Sequence, residues 1–334
     1  MLKWFLSVLA TLVLTLGLLI VWAYEPDRPL SSLRARWAPP PSTFIQVAGV
    51  QVHVRDEGPV NDPMPIVLIH GTSASLHTWD GWAHALSQTA KRRVIRFDLP
   101  GIGLSGPMPL PSNALPGQAP DYSGEAYARF TVQLLQHLGV AQAVLAGNSL
   151  GGEVAWRTAV LAPQLVQSLI LVDSAGPAFV PKSVPLGFAL ARNPAFTWIT
   201  EHLLTRALVK VSITSVYGNP QRVTPELVDR YFELTLHPGN RRALTQRLQS
   251  FVPGRGIDGL KQIHQPTLVM WGGQDRLIPP EVAQEFLSRI PTSRLVVYED
   301  LGHVPHEEDP QRTVRDAMTF LSSSPSFSTG AARP

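Results

Sequence analysis

The sequence predicts an α/β fold, a mostly parallel twisted sheet with helices on both faces and a helical cap inserted between two of its strands. Three observations predict it. Short, β-branched, largely apolar runs alternate with helical stretches along most of the chain. A pair of period-two segments precedes them, and one long interval, residues 173–266, has a helical texture instead of the alternation. Strands apolar on both faces belong to a parallel sheet covered on both sides. A structureless loop as long as that interval is rare in a compact domain, so it reads as a cap.

The chain opens on Trp4 to Ala23, uncharged and almost wholly apolar, with Lys3 before it and Glu25-Pro26-Asp27-Arg28 after it. Twenty such residues make roughly 30 Å of helix, enough to cross a bilayer. Trp4, Trp22 and Tyr24 stand at its ends, where amphipathic rings favour the headgroup level. Residues 1–25 are therefore expected to be a single membrane anchor, spanning with residues 4–23. The alternatives are a cleaved signal peptide, for which Val21-Trp22-Ala23 supplies a small-residue site, and a buried core helix. A signal h-region runs only about 7–15 residues, which favours the anchor. Lys3 suits an N-terminus-in orientation, while Arg28, Arg34 and Arg36 pull the other way. Long domains cross largely regardless of charge, so an extracytoplasmic catalytic domain is expected.

Residues 26–42, punctuated by Pro26, Pro29 and Pro39 to Pro41, read as a linker. Phe44–Val47 and Val50–Val54 alternate around Ala48-Gly49, a hairpin signal. The apolar runs are Ile66–Ile69, Val94–Phe97, Ala143–Ala146, Ser168–Val172, Thr267–Met270 and Leu295–Tyr298. Their helical partners are Trp79–Ala90, Gly124–Leu138, Leu150–Ala162, Pro280–Ile290 and Pro310–Leu321. The core is thus residues 43–176 and 263–322, and the cap is 177–262, with helices expected at Trp198–Val211, Pro225–Thr235 and Arg241–Phe251. Eleven Lys/Arg against five Asp/Glu give the cap a charge of +6. The Ser/Pro/Gly-rich residues 323–334 are expected to be a disordered tail.

Composition removes several classes. With 44% hydrophobic and 16% charged residues the chain can bury a large core, unlike a disordered one. A net charge of +3, with no basic run interleaved with aromatics, argues against nucleic acid as a partner. The absence of cysteine excludes disulfides, thiolate nucleophiles and cysteine-ligated metals.

The strongest chemical signal is Ala143-Val-Leu-Ala-Gly147-Asn148-Ser149-Leu150-Gly151-Gly152, an apolar strand running into a helix. Gly-x-Ser-x-Gly is weak alone and specific in that context. The sharp turn exposes the serine oxygen at a helix N-terminus, and glycines on either side remove colliding Cβ atoms. A serine needs a base, and in this architecture acid and then histidine follow in chain order. Gly272-Gly273-Gln274-Asp275 puts a carboxylate past one strand end, and Leu301-Gly302-His303 puts an imidazole past the last. Ser149, Asp275 and His303 are accordingly the expected nucleophile, orienting acid and base. Asp173 competes as acid and His306 as base; Glu299 and Asp300 read as solvated loop charge. The oxyanion donors expected are the backbone N–H groups of Leu150 and of Thr72, in the loop His70-Gly71-Thr72-Ser73-Ala74-Ser75. The Thr72 and Ser73 hydroxyls compete as assistants, and His70 is expected to brace the loop. No phosphate loop, dinucleotide fingerprint or metal-ligand spacing is present, so no cofactor and no metal are expected.

These motifs, with Asp98-Leu99-Pro100-Gly101-Ile102-Gly103-Leu104-Ser105 between them, resemble those of the α/β-hydrolase superfamily over about residues 43 to 322. The chain looks most like the capped esterase and C–C hydrolase branch, and that resemblance implies the same triad and oxyanion donors. Ser149 departs from epoxide hydrolases and haloalkane dehalogenases, which carry Asp there. Thr72-Ser73-Ala74-Ser75 departs from the Gly-Pro-Gly-like loop usual in C–C hydrolases, and Leu150 from the Trp that proline iminopeptidases favour. The expected function is cleavage of a carboxylic ester through an acyl-enzyme on Ser149. The alternatives are a C–C bond hydrolase acting on a vinylogous diketone, which the basic cap permits, and a membrane-tethered binding protein with a vestigial site. Phe188, Phe196, Trp198, Leu203 and Leu204 suggest a small-molecule ester of lipid-like character, or else ordinary cap core.

Overall fold

The computed structural model describes residues 1–111 and 113–323. Its centre is an eight-stranded sheet: β1 (Thr43–Val47), β2 (Val50–Glu57), β3 (Ile66–Ile69), β4 (Val94–Phe97), β5 (Ala143–Asn148), β6 (Val166–Val172), β7 (Thr267–Gly272) and β8 (Ser293–Tyr298). The spatial order is β1-β2-β4-β3-β5-β6-β7-β8. β1 pairs antiparallel with β2, and β2 antiparallel with β4; every later pairing is parallel. The hairpin turns at Ala48 and Gly49, both at positive φ (49° and 81°), which sets Val47 opposite Val50. That register buries Val47, Val50, Val52 and Val54 together.

The α-helices among the described residues are numbered in chain order: α1 (Leu2–Ala23), α2 (Leu30–Trp37), α3 (Asp80–His84), α4 (Gly124–His137), α5 (Leu150–Leu161), α6 (Leu186–Arg192), α7 (Thr197–His202), α8 (Arg206–Thr214), α9 (Pro225–Thr235), α10 (Asn240–Ser250), α11 (Ala283–Arg289), α12 (Pro305–Glu308) and α13 (Pro310–Ser323). Successive strand residues point to opposite faces, and both faces are buried. Val67, Ile69, Leu145, Leu171 and Trp271 meet Leu134 of α4, Trp156 of α5 and Phe286 of α11 on one side. Leu68, Val144, Ile170 and Met270 meet Trp82 of α3 and Phe320 of α13 on the other. Double burial explains the uninterrupted apolar runs.

The cap is helical, as expected, and consists of α6 to α10. The helix expected at Trp198–Val211 is two helices. Leu204 N–H donates to Ala23 O (2.9 Å) and Leu203 bridges to Tyr24, so the backbone there pairs with the end of α1 and leaves the helix. Thr205 then starts α8 afresh, its hydroxyl accepting the Leu208 N–H.

Residues 26–42, expected to be a linker, contain α2 and strap the cap. Leu33 is buried, Arg36 pairs with Glu233, and the Trp37 indole N–H donates to Glu233 (2.6 Å). Asp27 pairs with Arg241 of α10. The prolines stand only outside this helix, which leaves its interior hydrogen bonds intact. α1 carries a mean hydropathy of 2.5 with none of that span buried, so it is long and apolar enough to cross a bilayer. Of the expected tail 323–334, Ser323 closes α13 and residues 324–334 lie outside the described residues.

Candidate active site

β5 ends at Asn148 and α5 begins at Leu150, so the chain reverses at Ser149, whose φ of 54° and ψ of −114° few L residues adopt. Such a conformation costs about 1–3 kcal/mol and persists only where its surroundings enforce it. Ser149 N–H donates to Val172 O (3.0 Å), and Ser149 O accepts from Glu153 (3.1 Å) and Ala175 (3.0 Å). A Cβ on Gly147 would stand 2.1 Å from Gly151 O, and one on Gly151 2.1 Å from Ile69 O. Both glycines are therefore demanded by close backbone approach. The turn leaves Ser149 at the positive end of α5, beside N–H groups with no partner inside the helix.

Asp275 is buried in the loop after β7. Its Oδ1 accepts the N–H groups of Leu277 (2.8 Å) and Ile278 (3.0 Å), and its Oδ2 lies 2.6 Å from His303 Nδ1. His303, five residues beyond β8, is also buried. Its N–H donates to Val216 O of the cap (2.8 Å), and its carbonyl accepts the Asn148 side-chain amide (2.9 Å). A carboxylate that is itself fixed by two N–H donors can hold one tautomer of the ring, leaving Nε2 free for proton transfer.

Two residues that sequence reasoning missed hold this arrangement together. Asn148 joins the Ser149 turn to the His303 loop, since its amide donates both to His303 O and to Val172 O (3.2 Å). Glu308, buried on α12, accepts the N–H of Gly302 (2.9 Å), Gly218 (3.0 Å) and Asn219 (2.7 Å), so one carboxylate ties the histidine loop to the cap. A local signal existed only for Asn148, as the residue before the candidate nucleophile Ser149; nothing in the pattern around Glu308 sets it apart from its acidic neighbours.

The competitors fall elsewhere. His306 is buried with its ring 3.9 Å from that of Trp79, and neither ring nitrogen has a partner among the described residues. Burial pushes its pKa well below the ordinary value, so it stays neutral. His70 accepts the Leu99 N–H at Nε2 (2.9 Å) and donates from Nδ1 to Gly71 O (2.8 Å). It clamps the Thr72 loop to the turn after β4, a bracing role. Asp300 pairs with Arg312 in solvent. Asp173 comes close: one oxygen each of Asp173 and Asp275 and one ring nitrogen of His303 lie within 4.8 Å of one another. This cluster is the one place among the described residues where a metal ion could be held, although Asp275 already occupies the His303 Nδ1.

Ser149 and His303 open on one cavity of about 250 Å³. Its walls are mostly apolar, with Leu203, Leu204, Leu208, Val209 and Ile213 prominent, and it reaches Ala23, the last residue of α1. Phe188 also lines it, whereas Phe196 and Trp198 lie exposed on the cap surface. An adjoining chamber of about 120 Å³ also touches Ser149, together with Thr72, Leu150 and Phe251. Thr72 lines both chambers and Leu150 the second, so the two residues whose N–H groups are candidate oxyanion donors stand beside the serine.

A family profile described as the alpha/beta hydrolase fold matches residues 64–310. The chain belongs to the α/β-hydrolase family. Among similar members, Lipase 1 of Psychrobacter immobilis is 31% identical over 264 residues, 77% of each chain. The 2-hydroxymuconate semialdehyde hydrolase of Pseudomonas sp. (strain CF600) is 27% identical over 285 residues, 83% of this chain and 92% of the relative. The chain spans 63% of the dihydrolipoyllysine-residue acetyltransferase component of the acetoin cleaving system of Pseudomonas putida, at 32% identity over 261 residues. The solved structure of a bacterial membrane phospholipase A superposes with a TM-score of 0.69 at 25% identity, covering 96% of this chain and 98% of that one. That share is too large to leave out the whole 22-residue α1.

Proposed function

We propose that this α/β hydrolase cleaves carboxylic esters of lipid-like character, taken from the bilayer in which α1 anchors it. The observation that carries the reading is the apolar cavity running from Ser149 and His303 to Ala23 at the end of α1. A hydrocarbon chain entering there leaves the membrane for another apolar surface and exposes little area to water on the way. Similarity to a lipase and a membrane phospholipase A supports the ester.

In this reading His303, oriented by Asp275, takes the Ser149 proton as the serine oxygen attacks the ester carbonyl. The tetrahedral oxyanion is held by the N–H groups of Thr72 and Leu150. His303 returns the proton to the departing alcohol, and water activated by the same imidazole then releases the acid. The two chambers that meet at Ser149 give the acyl and alcohol portions separate places.

A second reading, C–C cleavage of a vinylogous diketone, draws on similarity to the semialdehyde hydrolase. Fluorophosphonate labelling of the full chain in detergent, with Ser149→Ala and Asp275→Asn beside it and a panel of p-nitrophenyl esters, separates the two. Labelling that requires Ser149, with ester turnover lowered about 10³–10⁴-fold by Asp275→Asn, is expected. Labelling without ester turnover moves the assignment to C–C cleavage, and no labelling of folded wild type refutes both.

A further inference from the structure

Asp173, at the end of β6, is fully buried and holds a φ of 44°, a left-handed value that aims a non-glycine residue off the strand. Its Oδ1 accepts the Gly272 N–H (2.9 Å). Its Oδ2 is equally buried and receives no donor from any described residue. One oxygen of Asp173 lies within 4.8 Å of one oxygen of Asp275 and one ring nitrogen of His303, and the Asp275 carboxylate is the side chain in hydrogen-bonding contact with the Asp173 carboxyl. The remaining ionisable groups around it are Glu308 on α12 and Tyr298 at the end of β8. None of these is a cation apart from His303 when protonated, so a second negative charge here would be unpaired.

We propose that Asp173 is a positioning residue held as a neutral carboxylic acid, whose proton lies on Oδ2 and is donated to the Asp275 carboxylate. The proposal rests on the triad reading given above. It resolves the orphaned oxygen: a protonated Oδ2 is a donor, and the neighbouring carboxylate is its acceptor. Which acid keeps the charge follows from the donors around each. Asp275 collects two backbone N–H groups and His303, whereas Asp173 collects only the Gly272 N–H. Burial, and next the Asp275 charge, push the Asp173 carboxyl well above the usual carboxylate range. The consequence for catalysis is positional: the extra donor fixes the Asp275 carboxylate in place, and with it the imidazolium formed during acylation.

The test is the pH profile of kcat/KM for p-nitrophenyl butyrate, measured on the full chain in detergent for wild type, Asp173→Asn and Asp173→Ala. Asp173→Asn keeps the shape and offers an N–H donor in place of the O–H. It is expected to stay within about threefold of wild type with the acidic limb unmoved. Asp173→Ala removes the donor, and its acidic limb is expected to move upward. A protonated-carboxyl infrared band at pH 8, present in wild type and absent from Asp173→Asn, is the direct signature and does not depend on the alanine variant folding.

If Asp173 is instead ionised, removing its charge within 4.8 Å of the imidazole lowers the acidic limb by about 2.5 pH units at an effective dielectric constant of ~20. That shift, or an infrared spectrum unchanged by Asp173→Asn, overturns the proposal. Loss of activity to a chelator, restored by a divalent cation, overturns it as well, since a cation would then be meeting Oδ2. Full activity of Asp275→Asn would instead refute the underlying triad, a result distinct from any given by the Asp173 variants.

Discussion

Replacing Glu308 by glutamine leaves the side chain's shape and removes its charge, which isolates what this carboxylate does at the seam between cap and histidine loop. Oε2 accepts the Gly302 and Gly218 N–H groups and Oε1 accepts that of Asn219. A glutamine has one acceptor oxygen, so at least one of the three N–H groups confronts another donor; the amide turns so that this is Asn219, which is exposed, while buried Gly302 keeps its acceptor. An unpaired donor there costs about 1 kcal/mol, and losing charge assistance on the two remaining bonds adds about 0.5–1 kcal/mol each. The sum is about 2–3 kcal/mol. At about 2.1 cal/mol/K per residue over a chain of 334 residues, that lowers the melting temperature by about 3–4 °C. Differential scanning fluorimetry on matched detergent samples at one scan rate measures it. Because His303 N–H bonds to Val216 O in the same seam, kcat/KM for a short ester is expected to fall at least about tenfold. A melting temperature within 1 °C of wild type with unaltered turnover would refute the reasoning.

Gly151→Ala forces a Cβ to 2.1 Å from Ile69 O, a backbone atom that cannot move aside; loss of soluble expression or of all fluorophosphonate labelling is expected, and a labelled, stable variant would contradict it. Asn148→Ala frees the His303 carbonyl and unties the serine turn, so labelling should slow by about tenfold or more with little change in KM. Leu208→Trp takes up part of the 250 Å³ cavity, and turnover of long-chain esters should fall while that of acetate and butyrate esters persists. Asp98 accepts the N–H of Leu76 (2.7 Å) and Leu104 (2.8 Å) and faces His53 Nδ1 at 2.8 Å. Burial opposes its charge, yet its histidine partners hold the carboxyl far below the usual range. Its stabilisation is therefore complete above the unfolded value of about 4 and lost as pH falls toward the depressed folded value. Melting curves of wild type and Asp98→Asn should accordingly differ most near neutral pH and converge in acid.

What the sequence conveyed and what it hid divide along a physical line. The eight strands and the Ser149 turn were legible because they rest on local rules: doubly buried strands need unbroken apolar runs, and the turn needs glycine at 147 and 151. The break in the cap at Leu203 was not, because it is caused by Ala23 and Tyr24, about 180 residues earlier in the chain. Residues 26–42 misled for a related reason. Their prolines suggested a spacer, while the decisive facts, Leu33 buried and Trp37 bonded to Glu233, are contacts with a helix far along the chain. Glu308 is the clearest case: its three N–H partners come from two separate loops, and no spacing rule announces such a meeting.

These long-range contacts converge on one device. α1 ends where Ala23 lines the cavity, and Leu204 carries the next cavity wall by bonding to Ala23 O. From there the strap of residues 24–37 runs across α9 and α10, pairing Asp27 with Arg241 and Arg36 with Glu233. On the far side of the cap, Glu308 and Val216 bind it to the His303 loop. The cap is thus fixed at one edge by the strap that follows α1 and at the other by the His303 loop, with the cavity between them. Exposed ion pairs are each worth only about 0–1 kcal/mol, so what holds the strap is the burial of Leu33 and Ala38 and the Trp37 indole bond to Glu233. Widening the cavity from the α1 end therefore means lifting those contacts, whereas widening it from the His303 side means breaking the Glu308 seam.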